Sequence, residues 1–321
     1  MNKKGSSETI REASVFNLQQ FYESLTNSNL QHPTQLFLEW FIGFTEGDGS
    51  FGFTKFPTLY NPNNTRPHFV INQQEPQVLY KIKKSLGFGS VIQINDKKRN
   101  QQYYRYRVGR VEHLAHLLYL FNGNLFLNKT HLRFKKWVES YNTLCAQRQD
   151  LHHLKQYTSC ISANRLFLKN LNLNSAWLAG FTDAEGGFYV SLCEDKKRKC
   201  TKLSFKYSIK QKGERDVLEK ILILIRNLKD IEDNTTTFKT LKKGIYNVKG
   251  KKDTYALEVT KKTDLLFLTN YFDNYLLLSR NKRLVYVRWK RVLLRVRPYQ
   301  KDTKAYKRYK RLVASVGKVR L

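Results

Sequence analysis

Two carboxylic acids, Asp48 and Glu185, occupy the same place in two similar segments, WFIGFTEGDGSF from Trp40 to Phe51 and WLAGFTDAEGGF from Trp177 to Phe188. The segments align in one register without gaps and share the Trp, the Gly-Phe-Thr core, the later Gly and the final Phe. Each reads as the end of a helix that runs into a strand. A carboxylate at a helix C-terminus faces the negative end of the helix dipole, and two such groups brought together repel. A hard divalent cation removes both penalties, and oxygen ligands suit Mg²⁺, with Mn²⁺ able to substitute. The chemistry this pair supports is metal-assisted phosphodiester hydrolysis, in which bound cations activate water and stabilise the leaving 3′ oxygen. Asp48 and Glu185 are thus the predicted metal ligands.

The helices that carry the two acids can be read outward from the motifs. Thr34 is the expected cap of a helix through LFLEWFIGFTEG, and Asn174 or Ser175 that of a helix through AWLAGFTDAEG. Gly43 and Gly47 lie four apart on one helix face, as do Gly180 and Ala184. Glycine in a soluble helix costs about 1 kcal/mol relative to alanine. Its use in both segments implies two helices approaching backbone to backbone. The second acids, Glu46 and Asp183, are expected to cap or hydrogen-bond within these helices rather than to act in catalysis.

The segments beyond the two motifs repeat as well. Residues 69–89, FVINQQEPQVLYKIKKSLGFG, and 207–225, YSIKQKGERDVLEKILILI, each alternate to a Gln, turn, and continue with helical period. Basic amphipathic segments then end at Trp137 and Trp289. Each half therefore reads helix, two strands, helix, two strands, then one or two helices. Strand alternation puts Leu203, Phe205, Tyr207 and Ile209 on one face, with Lys206, Ser208 and Lys210 on the other. Arg105 and Arg107 alternate with Tyr104, Tyr106 and Val108, and Phe51 and Phe53 oppose Ser50, Gly52 and Thr54. One greasy and one basic or polar face is the pattern of an antiparallel sheet covered on one side.

Composition says what that polar face meets. Lys and Arg number 58 against 26 acids, a net charge of +32, which calls for a polyanionic partner. Nucleic acid is the first candidate. A membrane-spanning protein is excluded, because no apolar run approaches the roughly 20 residues that a bilayer requires. Cys145, Cys160, Cys193 and Cys200 form no CxxC pair and read as reduced thiols. His113 and His116 lie in the apolar segment LAHLLYLF, where packing or exposure outweighs metal binding. Residues 1–33 carry three basic and three acidic side chains and no hydrophobic signal core. Residues 280–321 hold sixteen Lys or Arg and one acid, which fits a solvated tail or a second contact to phosphates.

FIGFTEGDG and LAGFTDAEG resemble the two copies of the LAGLIDADG motif in single-chain homing endonucleases, and the resemblance extends from about Leu36 to Trp289. It implies an α+β fold of two pseudo-symmetric αββαββα half-domains, each with a curved antiparallel sheet in a DNA-binding saddle, packed through the two motif helices. The corresponding division is 1–33 as an N-terminal extension, 34–146 and 174–295 as half-domains, 147–173 as a linker and 296–321 as a basic tail. It implies a site-specific endonuclease that cuts each strand of double-stranded DNA once across the minor groove, leaves short 3′ overhangs and promotes mobility of a group I intron.

The same resemblance places Gln73 and Gln211 near the active site, where each would orient water or metal; the alternative is a surface strand end. A basic residue before each closing helix would stabilise phosphate charge. Lys129 fits in the first half. In the second the spacing differs by one residue, so Arg280, Asn281 and Lys282 compete, with Lys282 preferred. Candidate DNA contacts are Ser50, Thr54, His68, Arg105, Arg107, Ser191, Lys206, Ser208 and Lys210. Two unlike halves in one chain fit a monomer on a non-palindromic target. The competing readings are an intron maturase that binds its host intron RNA and a regulatory DNA-binding protein that has lost cleavage. A mitochondrial origin is expected, or else a chloroplast one, in keeping with a Lys-, Asn- and Tyr-rich composition suited to an AT-rich genome.

Overall fold

Each half is built on the same order of elements, because each repeats the same pattern of periods. The computed structural model describes residues 16–26, 28, 30–55, 65–97, 100–151, 154, 171–195, 200–226, 244–295 and 304–316. The first half runs α2 (Gln35–Asp48), β1 (Gly49–Lys55), β2 (Thr65–Gln73), α3 (Pro76–Leu86), β3 (Ser90–Asp96), β4 (Gln101–Val108), α4 (Val111–Phe121) and α5 (Asn128–Gln147). The second runs α6 (Trp177–Glu185), β5 (Gly186–Asp195), β6 (Cys200–Lys212), α7 (Arg215–Ile225), β7 (Ile245–Asn247), β8 (Thr254–Val259), α8 (Lys262–Asn274) and α9 (Arg280–Leu294). A short α1 (Gln19–Leu25) precedes them and α10 (Lys304–Val316) comes after. The two sheets are four-stranded and antiparallel, ordered β1-β2-β4-β3 and β5-β6-β8-β7. This is the α+β repeat that the sequence led us to expect.

The registers match between halves: Gly49 pairs with Ile71 and Phe69 with Val108, as Gly186 pairs with Ile209 and Tyr207 with Val259. The apolar strand faces turn inward onto the helices. Phe51 meets the Trp137 ring of α5 at 5.5 Å, and Phe188 meets the Trp289 ring of α9 at 5.2 Å. Phe53 departs from the expected face pattern and is 45% exposed.

Thr34 caps α2 as expected, its hydroxyl accepting from the Phe37 N–H at 3.3 Å. The expectation for α6 is corrected. Neither Asn174 nor Ser175 caps it; the helix begins one residue later, after Ala176. The Ala176 N–H donates instead to Glu39 Oε2 of α2 at 3.0 Å, so the first half supplies the acceptor. A buried carboxylate at a helix N-terminus also favours the dipole, which a hydroxyl does less well.

α1 docks on α4 by burying Phe21 and Leu25. Ser24 Oγ lies 2.9 Å from His116 Nδ1, and the rings of His113 and His116 pack on Phe88 at 4.9 and 5.8 Å. Burial of the imidazole lowers the His116 pKa from 6.5 to about 4, with the charge of His113 adding to the effect. Above pH 6.5 both folded and unfolded states are neutral at this position, and below it the unfolded state takes up the proton first. The expected outcome is stability that falls as the pH drops from 6.5 towards 4, and a shallower fall in His116→Gln. Urea unfolding at a series of pH values measures both.

Cys145 is buried and reduced, and Cys193 is also a free thiol. Cys160 and most of the segment expected to link the halves lie outside the described residues. No described helix is long and apolar enough to cross a membrane.

Candidate active site

The site forms where α2 and α6 end together. A Cβ on Gly43 would meet the carbonyl carbon of Trp177 at 2.9 Å, and one on Gly180 would meet that of Trp40 at 2.7 Å. These two glycines therefore set a backbone-to-backbone crossing that no side chain permits. One turn on, Gly47 lies against Ala184 and the Glu185 side chain. The last residues of the two helices, Asp48 and Glu185, are thus neighbours, both half-buried, at the point where each helix becomes a strand.

Burial raises the Asp48 carboxyl to a pKa of about 6. The hydrogen bond from Gln73 Nε2 to Asp48 Oδ2, 2.6 Å long, pulls it down; the charge of Glu185 pushes it up and that of Lys282 pulls it down. Gln73, expected near the site, is therefore in direct contact with a predicted ligand. Gln211 is placed differently. It is buried, its Oε1 accepts from Lys129 Nζ, and its Nε2 has no hydrogen-bond partner among the described residues. Lys282 Nζ donates to the Gly186 carbonyl, next to Glu185. Burial lowers the pKa of both lysines. Opposing it are the charges of Glu185 and Glu214 on Lys129, and those of Asp183, Asp48 and Glu185 on Lys282.

The second acids of the motifs tie the two halves together. Glu46 Oε1 accepts from the N–H groups of Phe126 at 2.7 Å and Leu127 at 2.6 Å, while Oε2 accepts from Trp177 Nε1 at 2.6 Å. Asp183 Oδ2 mirrors this, accepting from the N–H groups of Leu278 (2.6 Å) and Ser279 (3.3 Å) and from Trp40 Nε1 (2.9 Å). Burial raises Glu46 to about 8 and Asp183 to about 7. Both hydrogen-bond, as anticipated, but to the segments leading into α5 and α9 and across the helix pair, rather than within their own helices.

Two further carboxylates escaped the sequence reading. Glu214 accepts from the N–H groups of Asn128 at 3.2 Å and Lys129 at 2.8 Å, and Glu75 accepts from the backbone and side-chain N–H groups of Asn281. A usable signal existed: QQE and QKGE put a Glu two or three residues after Gln73 at the end of β2 and Gln211 near the end of β6, immediately before α3 and α7.

The outer sheet faces carry the expected polar side chains. Residues paired across an antiparallel ladder share a face, so Ser50, Val70, Arg107 and Ser90 line up, as do Thr54 with Arg66, and Asn72 with Arg105. Thr54, Arg107, Ser191 and Lys210 are exposed, with Ser50, His68, Arg105 and Lys206 partly so. Arg105 is held by Asn72 at 2.8 Å and by Tyr103 at 3.1 Å. Lys206 pairs with Glu258 at 2.7 Å, which offsets one of the positive charges expected on this face. Ser208 differs from its expected place as an outward contact: it is 4% exposed and its hydroxyl has no partner among the described residues. It sits on a central strand between Gly187 and Glu258, and the Tyr189 ring folds back over Gly187. Arg66, Asn72, Lys202 and Lys212 share these faces and were not singled out from the sequence.

Among the described residues no three His, Cys, Asp or Glu side chains cluster as a self-sufficient metal cage. Two acidic oxygen donors side by side nonetheless suit a hard cation that completes its coordination with water.

The comparisons with known proteins agree with this architecture. The family model described as LAGLIDADG endonuclease matches residues 41–141 and 178–293. A Neurospora crassa protein named probable intron-encoded endonuclease 4 is 35% identical over 209 residues, covering 63% of this chain and 34% of that protein. A Schizosaccharomyces pombe protein named probable intron-encoded endonuclease Cox1-I1b is 26% identical over 250 residues, covering 74% of this chain and 59% of that one. The aligned regions thus span less than two thirds of both relatives. Among solved structures, the LAGLIDADG homing endonuclease I-GzeII in complex with its DNA target superposes with a TM-score of 0.61 at 20% identity, covering 87% of this chain and 99% of that one. The meganuclease I-AabMI bound to uncleaved DNA gives 0.54 at 20% identity, covering 87% and 96%. With the family pattern matched in both halves, at the two helices that bring Asp48 and Glu185 together, this chain belongs to the LAGLIDADG endonuclease family.

Proposed function

We propose that this protein is a site-specific endonuclease that hydrolyses one phosphodiester on each strand of a DNA duplex, across the minor groove, and so promotes mobility of the intron encoding it. The observation that carries the reading is the meeting of Asp48 and Glu185 at the junction of the two halves, each flanked by a glutamine and a lysine. Asp48 and Glu185 would hold Mg²⁺, or Mn²⁺ in its place, and the cation would supply water activation and neutralisation of charge on the leaving oxygen. Lys129 and Lys282 put positive charge beside the carboxylates, where a scissile phosphate carries its negative charge. Gln73 fixes the orientation of Asp48, and Gln211 accepts from Lys129 and so holds its ammonium. The arginines and lysines of the two sheet faces would grip backbone phosphates on either side. Because the halves differ in sequence, a single monomer can read a non-palindromic site. The cox1 intron origin carried in the names of two S. pombe relatives supports a mitochondrial genome as the source.

Incubation of the purified protein and Mg²⁺ with a supercoiled plasmid carrying the intronless host site is expected to give linear product, restored by Mn²⁺ after chelation with EDTA. No cleavage of this plasmid or of a randomised duplex library, together with loss of intron splicing when the protein is absent, would instead establish the maturase.

A further inference from the structure

The closing helices α5 and α9 have no cap of their own. Leu127 precedes α5 and has no polar side chain, and the Ser279 side chain makes no capping hydrogen bond to α9. Glu46 and Asp183 hold the residues just before α5 and α9 from within their own halves, and the first N–H groups inside each helix, which a helix leaves unpaired at its start, are taken from the opposite half: Glu214 takes those of Asn128 and Lys129, and Glu75 takes that of Asn281. Both glutamates stand at the start of the helix that comes after a strand carrying an active-site glutamine, Gln211 one residue before the end of β6 and Gln73 at the end of β2. Lys129, on the first turn of α5, reaches across to Gln211 of the second half, and the charge it meets most strongly is that of Glu185. Lys282, on the first turn of α9, donates to the Gly186 carbonyl of its own half and meets the charge of Asp183 most strongly, then that of Asp48 in the first half, on which its own charge bears in turn.

We infer that Glu214 and Glu75 are positioning residues acting in trans: each caps the closing helix of the other half and thereby sets the lysine that serves its own half's carboxylate and glutamine. The inference rests on the nuclease reading above. Each catalytic centre is then composite, Glu185 and Gln211 with Lys129 in one, Asp48 and Gln73 with Lys282 in the other. A charge-assisted bond to two consecutive backbone N–H groups fixes both the position and the direction of the helix start. Displacement of a catalytic ammonium by about 1 Å costs up to about a hundredfold in rate. The consequence is specific to one strand, which a general loss of stability is not.

The test is single-turnover nicking of each strand of a doubly end-labelled duplex carrying a site selected from a randomised library. Glu214→Ala is expected to slow one strand by about tenfold or more and leave the other within about twofold, and Glu75→Ala to reverse the bias. Glu214→Gln, which keeps one of the two acceptor oxygens and loses the charge, should recover part of the lost rate. Lys129→Ala leaves the cap intact and guards against a folding defect: it should slow the same strand as Gln211→Ala. Equal slowing of both strands by Glu214→Ala, or a Lys129→Ala defect on the strand slowed by Gln73→Ala, overturns the inference while the nuclease reading stands. Wild-type protein that nicks neither strand of any library member overturns both.

Discussion

Replacing Asp48 by Asn, or Glu185 by Gln, is expected to reduce double-strand cleavage by about three orders of magnitude or more, the loss of several kcal/mol of transition-state stabilisation, while duplex binding stays within a few-fold. The two changes keep shape and remove a single negative charge. The acceptor that Gln73 Nε2 uses on Asp48 survives as the amide oxygen of Asn, so the local hydrogen bond remains available. Burial already disfavours the charged form of Asp48 in the unliganded protein, raising its pKa to about 6. A neutral side chain therefore relieves a penalty, and the unfolding midpoint of Asp48→Asn should equal or exceed that of the parent. Loss of cleavage with preserved binding and undiminished stability is a signature that misfolding cannot produce. Gel-based strand cleavage, a filter-binding titration and thermal unfolding on one preparation supply the three readings. Normal cutting of both strands by either variant would remove these carboxylates from the mechanism.

Gly180→Ala is expected to be the most damaging single methyl group in the molecule. Its Cβ would fall onto the peptide of Trp40, with the carbonyl carbon at 2.7 Å and the Phe44 nitrogen at 2.8 Å. The obstacle is backbone rather than the end of a flexible side chain, so the helices themselves must separate. Overpacking typically costs about 1–3 kcal/mol, and a rigid obstacle of this kind belongs at or above the upper end. Separation of the helices also draws apart Asp48 and Glu185, and stretches the indole bonds from Trp40 to Asp183 and from Trp177 to Glu46. Protein that still folds should therefore lose cleavage as well. Gly109→Ala is the matched control, since the nearest atom to its Cβ is Arg107 Nε at 3.9 Å. Equal unfolding midpoints in denaturant for these two variants would show that the glycine contact does not hold the halves together.

Much of this arrangement was legible along the chain because it is written in local periods. The motif repeat, the glycines spaced four apart, the alternation in β2, β4 and β6 and the Thr34 cap each depend on residues within one turn or one strand of each other. Where the reading departed from the structure, the deciding contact came from far along the sequence. Asn174 and Ser175 were reasonable caps for α6 by local chemistry, but Glu39, remote in sequence, takes that place. Ser208 alternates correctly with its neighbours, yet Tyr189 folding back over Gly187 and the flanking strands leave it covered.

The two-fold repeat, the strand faces, the strongly basic composition and the two motif acids follow from the order of residues alone, since burial pattern and charge are properties of short segments. Nothing along the chain shows that Lys129 meets Gln211 rather than Gln73, or that Glu46, Asp183, Glu75 and Glu214 hold the starts of the closing helices; packing sets both. Which carboxylate faces which N–H, within a half for Glu46 and Asp183 and between halves for Glu75 and Glu214, depends on how closely α2 and α6 approach. That distance is fixed by the absence of a side chain at Gly43 and Gly180, and no local period records which carboxylate will then face which unpaired N–H.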